Sequence, residues 1–236
     1  MRVVWFSTGI SSFVATYLNK DNVDKIIYIH IDDQHPDSLR FVDDCSALLG
    51  KEIEILQSPY KNVGNVIQAF QFINSAYGAR CTDILKKRVR KEWEYGKSDL
   101  TYIWGFDSDE HLRAQRTINS MPKQQHEFPL IDNKIAKKEA HGIAEMLGLK
   151  RPVMYEMGYN NNNCIGCVKG GIGYWNKIRR DFPEVFAERA RQERMVGKSC
   201  LRDKNGQLFL DQLDPDRGHD VQLIMPECGF ICEQLE

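Results

Sequence analysis

Long apolar runs are missing from this sequence. Met1 to Phe6 offers one positive charge and four apolar residues before Ser7, too short for the apolar stretch of a signal peptide or for a membrane span. A soluble, cytoplasmic chain with no membrane partner is therefore expected. An excess of charge is missing too: the net charge is −1, so overall electrostatics select neither a polyanion nor an acidic surface as partner. There is no internal repeat, and no biased tract beyond the four asparagines Asn160 to Asn163. With 42% hydrophobic and 28% charged residues, the chain also lacks the composition of a disordered segment. Cysteine, by contrast, is present in number. Seven cysteines without an export signal fit a reducing compartment, where close-set pairs hold metal or do redox chemistry sooner than they form structural disulfides.

The 236 residues suffice for one sizeable α/β domain, or for one of roughly 150 residues with a smaller appendage. Val3 to Phe6 reads as an apolar strand, followed by the polar loop Ser7 to Ser12 and an apolar helix from Phe13 to Leu18. Lys25 to Ile31 is β-branched and continuous, as a strand buried on both faces should be; Arg40 to Leu49 is a helix stopped at Gly50, and Glu52 to Leu56 a third strand. A helical stretch from Val63 to Ala76, a basic segment Lys86 to Lys91, a strand Leu100 to Gly105 and a helix Lys134 to Leu147 follow. This rhythm predicts an α/β fold with a doubly wound parallel sheet, whose ligands gather at the carboxyl ends of the strands. From about Tyr155 the pattern changes. Cys164-Ile165-Gly166-Cys167 leads into a glycine-rich turn, a helix from Pro183 to Val196 and a hairpin from Leu201 to Leu210 turning at Asn205-Gly206. Two domains are expected, 1–154 and 155–236, the second a small cysteine-containing appendage fastened by something other than a hydrophobic core.

Ser7 to Ser12 puts small hydroxyl and glycine residues where the chain leaves a strand and enters a helix. Backbone N–H groups converge there with the positive end of the helix dipole, which suits a phosphate. The loop has no lysine and not the spacing of a P-loop, so an ordinary P-loop NTPase is disfavoured; a ligand-free Ser/Thr-rich helix cap is the alternative.

Four segments in order resemble one superfamily. Phe6 to Ser12 is similar to the Ser-Gly-Gly-x-Asp-Ser loop of the adenine nucleotide alpha-hydrolases, and Asp32-Asp33-Gln34-His35-Pro36-Asp37 to the Asp-Thr-Gly-x-x-x-Pro-Glu turn after their second strand. Arg80 to Lys86 resembles the Cys-x-x-x-Leu/Arg-Lys segment of the phosphoadenosine phosphosulfate (PAPS) reductases, and Gly105 to Ala114 their Gly-x-x-x-x-Glu-x-x-Arg-Ala loop. The stretch Cys164 to Arg179 looks like the tail of reductase-like proteins often encoded by bacteriophages. The resemblance implies a sheet of the adenine nucleotide alpha-hydrolase (HUP) type and a PP-loop that binds ATP, PAPS or adenosine phosphosulfate (APS). It implies that Ser7, Thr8, Gly9, Ser11 and Ser12 surround phosphate or sulfate, that His30 to Asp32 border the adenine, and that Gly105 belongs to the facing loop. Lys86, Arg113 and Arg116 supply positive charge, with Lys86 a catalytic candidate. Lys87 to Lys91 also read as a solvated helix face, and Arg113 as a structural partner of Glu110. Two positions depart from the pattern: Thr8 replaces a glycine, and Ser11 replaces the aspartate at which a metal such as Mg would be held for pyrophosphate cleavage.

Cys164 and Cys167 have the spacing of a metal knuckle, which Cys228 and Cys232 would complete. By resemblance Cys81 competes as fourth ligand, and a [4Fe-4S] cluster is expected over zinc, with a redox dithiol or inert cysteines as the remaining readings. Glu227-Cys228-Gly229-Phe230 is similar to the tail that carries the nucleophilic cysteine of PAPS reductases, so Cys228 is a candidate both as nucleophile and as ligand. Cys45 fits a helix core. Tyr174, Trp175, Lys177, Arg179 and Arg180 interleave rings with cations, which suits base stacking on tRNA or DNA as well as a buried aromatic core. The expected activity is sulfur transfer or reduction, with a thiol reductant as a further partner. A non-catalytic nucleotide-binding module with a structural metal and an ATP-dependent tRNA or DNA thiolation enzyme are the alternatives.

Overall fold

The computed structural model describes residues 1–75 and 78–218. In chain order its main elements are β1 (Arg2–Phe6), α1 (Ile10–Leu18), β2 (Lys25–His30), α2 (Asp37–Leu49), β3 (Ile53–Gln57), α3 (Val63–Phe70), α4 (Arg88–Glu94), β4 (Thr101–Ile103), α5 (His111–Ser120), β5 (Gln125–Glu127), α6 (Lys137–Met146), α7 (Ile172–Asp181), α8 (Pro183–Val196), β6 (Leu201–Asp203) and β7 (Gly206–Leu208). The chain divides into two compact units whose segments alternate. Of the described residues, the first holds 1–30, 36–57 and 89–162, and the second 31–35, those of 58–88, and 163–218.

The first unit is built on a five-stranded, wholly parallel sheet in the order β3-β2-β1-β4-β5, which is the doubly wound α/β arrangement. Its strands are rich in Val, Ile and aromatic residues because both faces are covered. On one face Val4, Phe6, Ile26, Tyr28, Ile53 and Ile103 pack with Phe13 and Val14 of α1, Phe41, Val42 and Cys45 of α2, and Ala140 and Ala144 of α6. Alternation sends Trp5 and Tyr102 to the other face, where their rings meet edge to face at 5.8 Å and Trp93 of α4 lies 5.5 Å from Trp5. Cys45 is fully buried in this core, as its helix pattern predicts, and burial pushes its thiol far up. The fifth strand is the element the sequence does not announce: Gln125, His126 and Glu127 are polar, and they pair with β4 at the sheet's edge.

The second unit corrects the expectation that the C-terminal part lacks a core of its own. Tyr174, Trp175 and Ile178 of α7 are at most 1% exposed, the Trp175 ring meets Phe186 of α8, and Leu210 and Leu213 are buried. Buried charges complete it. Glu193 of α8 is fully buried and accepts the backbone amides of Cys200 and Leu210, while Asp33 accepts Val63 N at 2.6 Å and faces Arg189 at 3.5 Å. The hairpin β6–β7 is present, turning at Lys204-Asn205, one position before the expected Asn205-Gly206, so that Gly206 opens the return strand.

Candidate functional site

A doubly wound sheet offers a crevice where the strand order reverses, and here that point lies beyond the carboxyl ends of β1 and β4. The loop after β1 carries Ser7, Thr8 and Gly9 and enters α1 directly. Gly9 is its N-cap residue, with extended backbone and no side-chain cap, and the first turn holds no acidic residue. The amides of Ile10, Ser11 and Ser12 therefore open the helix without an intrahelical acceptor, which is the local requirement for an anion. Ser12 Oγ accepts Ser7 N at 3.1 Å and ties the two ends of the loop together. Ser7 is half-buried, whereas Thr8, Ser11 and Ser12 are 0–5% exposed.

The loop after β4 carries Gly105, whose backbone lies against the first turn of α1. A β-carbon on Gly105 would fall 2.3 Å from Ser12 Cα and 2.6 Å from Ser12 N, so only glycine fits. Beyond it, Glu110 binds Arg113, whose guanidinium lies 4.1 Å from the centre of the Phe106 ring. Arg113 thus pairs with Glu110, as its spacing allows, and Arg116 is exposed. Burial, and then the charge of Glu110, hold the Asp107 carboxyl above its usual range. His30 ends β2, with Nδ1 3.0 Å from the Tyr28 hydroxyl.

In the second unit, Asp32 N donates to Lys61 O at 3.1 Å. Lys86 lies in a π-helical stretch, Asp83–Lys87, a distortion often found at functional positions. It borders a small pocket together with Cys81, Cys164 and Cys167. The remaining walls are Ile31, Val63, Leu85 and Val168, with Thr82. The Cys164–Cys167 turn is held by Tyr174, whose hydroxyl donates to Cys164 O at 3.1 Å and accepts Cys167 N at 2.9 Å. Gly166 takes the left-handed backbone (φ 70°) that this turn requires. Cys200 is buried, and burial with the charge of Glu193 holds its thiol far above the ordinary range, so it stays protonated. Cys228 and Cys232, expected as ligands, lie outside the described residues. Among the described residues no three His, Cys, Asp or Glu side chains converge on one ion.

No family model matches the sequence, and no curated protein matches it. Among solved structures, a phosphoadenylyl-sulfate (PAPS) reductase from Candida auris, as a phosphate complex, is 10% identical over 68% of this chain and 80% of its own, with a TM-score of 0.48. A predicted subunit of tRNA methyltransferase from Methanocaldococcus jannaschii is 19% identical over 61% of this chain and 74% of its own, with a TM-score of 0.37. Both are distant, so the chemistry of the site rests on this chain's own residues.

Of the two readings of the aromatic–basic stretch the structure takes the buried core: Tyr174 and Trp175 are buried, Arg179 donates to Leu210 O and Leu213 O, and Lys177 pairs with Asp181, so this stretch builds the second unit. The basic run is not a uniformly solvated face: Lys87 and Arg90 are each 3% exposed, and Arg90 pairs with Glu94, which also accepts the Tyr102 hydroxyl. The sequence reading missed Asn162, whose side chain reaches Thr8. It lay in the asparagine run, where composition assigns no role to any one residue. No described helix is long and apolar enough to cross a membrane.

Proposed function

We propose that this chain is a PAPS reductase-like enzyme of sulfur transfer or reduction, which binds an adenine nucleotide, ATP or a sulfonucleotide, with the phosphates at the opening of α1. The carrying observation is the abutment of Gly105 on the first turn of α1 at the point where the strand order reverses. Two loops meet there with uncapped amides between a strand end and a helix start, and a phosphate chain is what such amides neutralise.

A narrower reading, binding without pyrophosphate cleavage, draws on a second observation. The first turn of α1 has no carboxylate, so no side chain of that turn holds a metal ion beside the phosphates. The loop after β4 carries Asp107, Asp109 and Glu110, of which Glu110 is engaged by Arg113.

Three thiols bordering one pocket fit a sulfur-ligated group. Cys81, Cys164 and Cys167 would hold it, with a fourth position for Cys228 or Cys232. The preference for iron–sulfur over zinc rests on the resemblance of Cys81 and the Cys164–Cys167 pair to the cysteines of the sulfonucleotide reductases. Such a cluster would supply electrons and a soft site for sulfur. Lys86, beside the same pocket, stabilises negative charge there.

Calorimetric titration of the full chain with ATP, PAPS and APS, together with iron, zinc and sulfide analysis, tests the reading. Binding of one nucleotide in the micromolar range and on the order of four irons per chain are expected. Absence of binding to all three would end the nucleotide assignment, and a single zinc would leave a binding module with a structural metal.

A further inference from the structure

Thr8 has a left-handed backbone (φ 59°), a conformation that costs a β-branched residue and that glycine takes freely. Its surroundings show what holds it there. Asn162, 4% exposed, directs its Nδ2 amide at Thr8 O (3.0 Å), Thr8 Oγ1 (3.2 Å) and Ser38 Oγ (3.0 Å). Thr8 Oγ1 in turn donates to Ser7 O at 2.6 Å. The peptide group between Thr8 and Gly9, just before the helix, is thereby fixed at its carbonyl end.

The asparagine is itself anchored. Lys137 Nζ, on α6, donates to Asn160 O at 2.7 Å and to Asn161 Oδ1 at 2.5 Å, which pins the backbone leading into Asn162. Asn162 Oδ1, however, is buried and meets no donor among the described residues. An unmet buried acceptor is a cost, so stability alone is a poor reason for an amide at this place. What the amide does there is hold a strained turn at the mouth of the loop.

We infer that Asn162 is a positioning residue for the anion site: its amide keeps Thr8 left-handed and so aims the amides that open α1 at the nucleotide's phosphates. It acts through Thr8 and Ser38, within the first unit, and the inference rests on the nucleotide reading above. Asn162 and Thr8 are consequently coupled. With glycine at position 8 the turn needs no clamp, and the asparagine becomes dispensable to binding.

The test is a double-mutant cycle on the full chain. Affinity for ATP, PAPS and APS is measured by calorimetry for the wild type, N162A, T8G and T8G/N162A, with thermal unfolding of each. N162A is expected to weaken binding roughly tenfold or more with Thr8 in place, and less than about threefold in the T8G background. Equal losses in both backgrounds, or wild-type affinity in N162A, would overturn the inference. Should N162A not fold, the comparison of T8G with T8G/N162A still decides it, since a loss of tenfold there contradicts the coupling. A wild type that binds none of the nucleotides is a different result, and removes the nucleotide reading itself.

Discussion

The two units of this protein solve the same problem by different means. In the first, backbone groups are satisfied by a regular parallel ladder, and the core is hydrocarbon and ring: Val4, Phe6, Ile26, Phe13 and Phe41 on one face, Trp5 and Tyr102 on the other. In the second, ladders are short and side chains take over that work. Glu193 holds two backbone amides, Asn74 donates to Val168 O and Cys200 O, Asn176 to Asp214 O and Arg217 O, and Arg179 to Leu210 O and Leu213 O. Bonds of this kind are sensitive to substitution, because a buried group that loses its partner costs more than the bond contributes. The first unit should therefore yield gradually to substitution and the second abruptly.

The largest expected effect is at Glu193. Glu193→Ala leaves the amides of Cys200 and Leu210 buried without an acceptor and should destabilise the protein by roughly 2–5 kcal/mol, seen as a lowered midpoint in urea. A loss no greater than that of an ordinary surface substitution would break the contrast between the units. Glu193→Gln keeps one acceptor oxygen and should fall between the two.

Next comes Gly105→Ala. The added methyl meets backbone at 2.3 Å, which a flexible side chain cannot relieve, so the first turn of α1 must move. An overpacking cost of roughly 1–3 kcal/mol is expected, with a loss of nucleotide affinity larger than the loss of stability alone explains. Calorimetry well below the melting temperature separates the two. Unchanged affinity would show that the phosphates bind elsewhere.

A smaller effect tests whether the first unit also hides a polar weakness. His126 accepts the Trp104 indole N–H at Nδ1 (3.0 Å), and its Nε2 faces Met121 O at 2.9 Å, which selects the neutral Nε2–H form. Burial, assisted by the charge of Arg90, lowers its pKa from 6.5, so the folded state binds a proton less readily than the unfolded. The stabilisation is then complete above that value and is lost as the pH falls through the lowered folded value. His141, lowered by burial and then by Lys137, adds in the same direction. Melting temperature followed from pH 7.5 downward, roughly to pH 5, should decline, and His126→Gln should flatten the decline. An identical slope in the variant would assign the acid sensitivity to other groups.

Much of the first unit was readable in advance because its signals are local. Apolar β-branched runs mark β1 and β2, glycines stop α2 and α8, and the small residues between Phe6 and Ile10 mark a strand-to-helix loop. The fifth strand was not, since an edge strand of Gln, His and Glu owes its existence to pairing with β4. The second unit was harder for the same reason. The insertions 31–35 and 58–88 carry no break in composition, and the aromatic–basic stretch of α7 reads alike whether its rings face solvent or a core.

By itself the sequence determined the alternation of strands and helices, the small-residue loop after β1 and the Cys-x-x-Cys turn, because each depends on residues adjacent in the chain. Only tertiary structure decided that Gly105 lies against Ser12, that Asn162 clamps Thr8, that Cys81 and Lys86 share a pocket with Cys164 and Cys167, and that Glu193 is spent on backbone amides. These are meetings between residues far apart in sequence. They follow from how the chain closes on itself, which local periodicity and propensity do not encode.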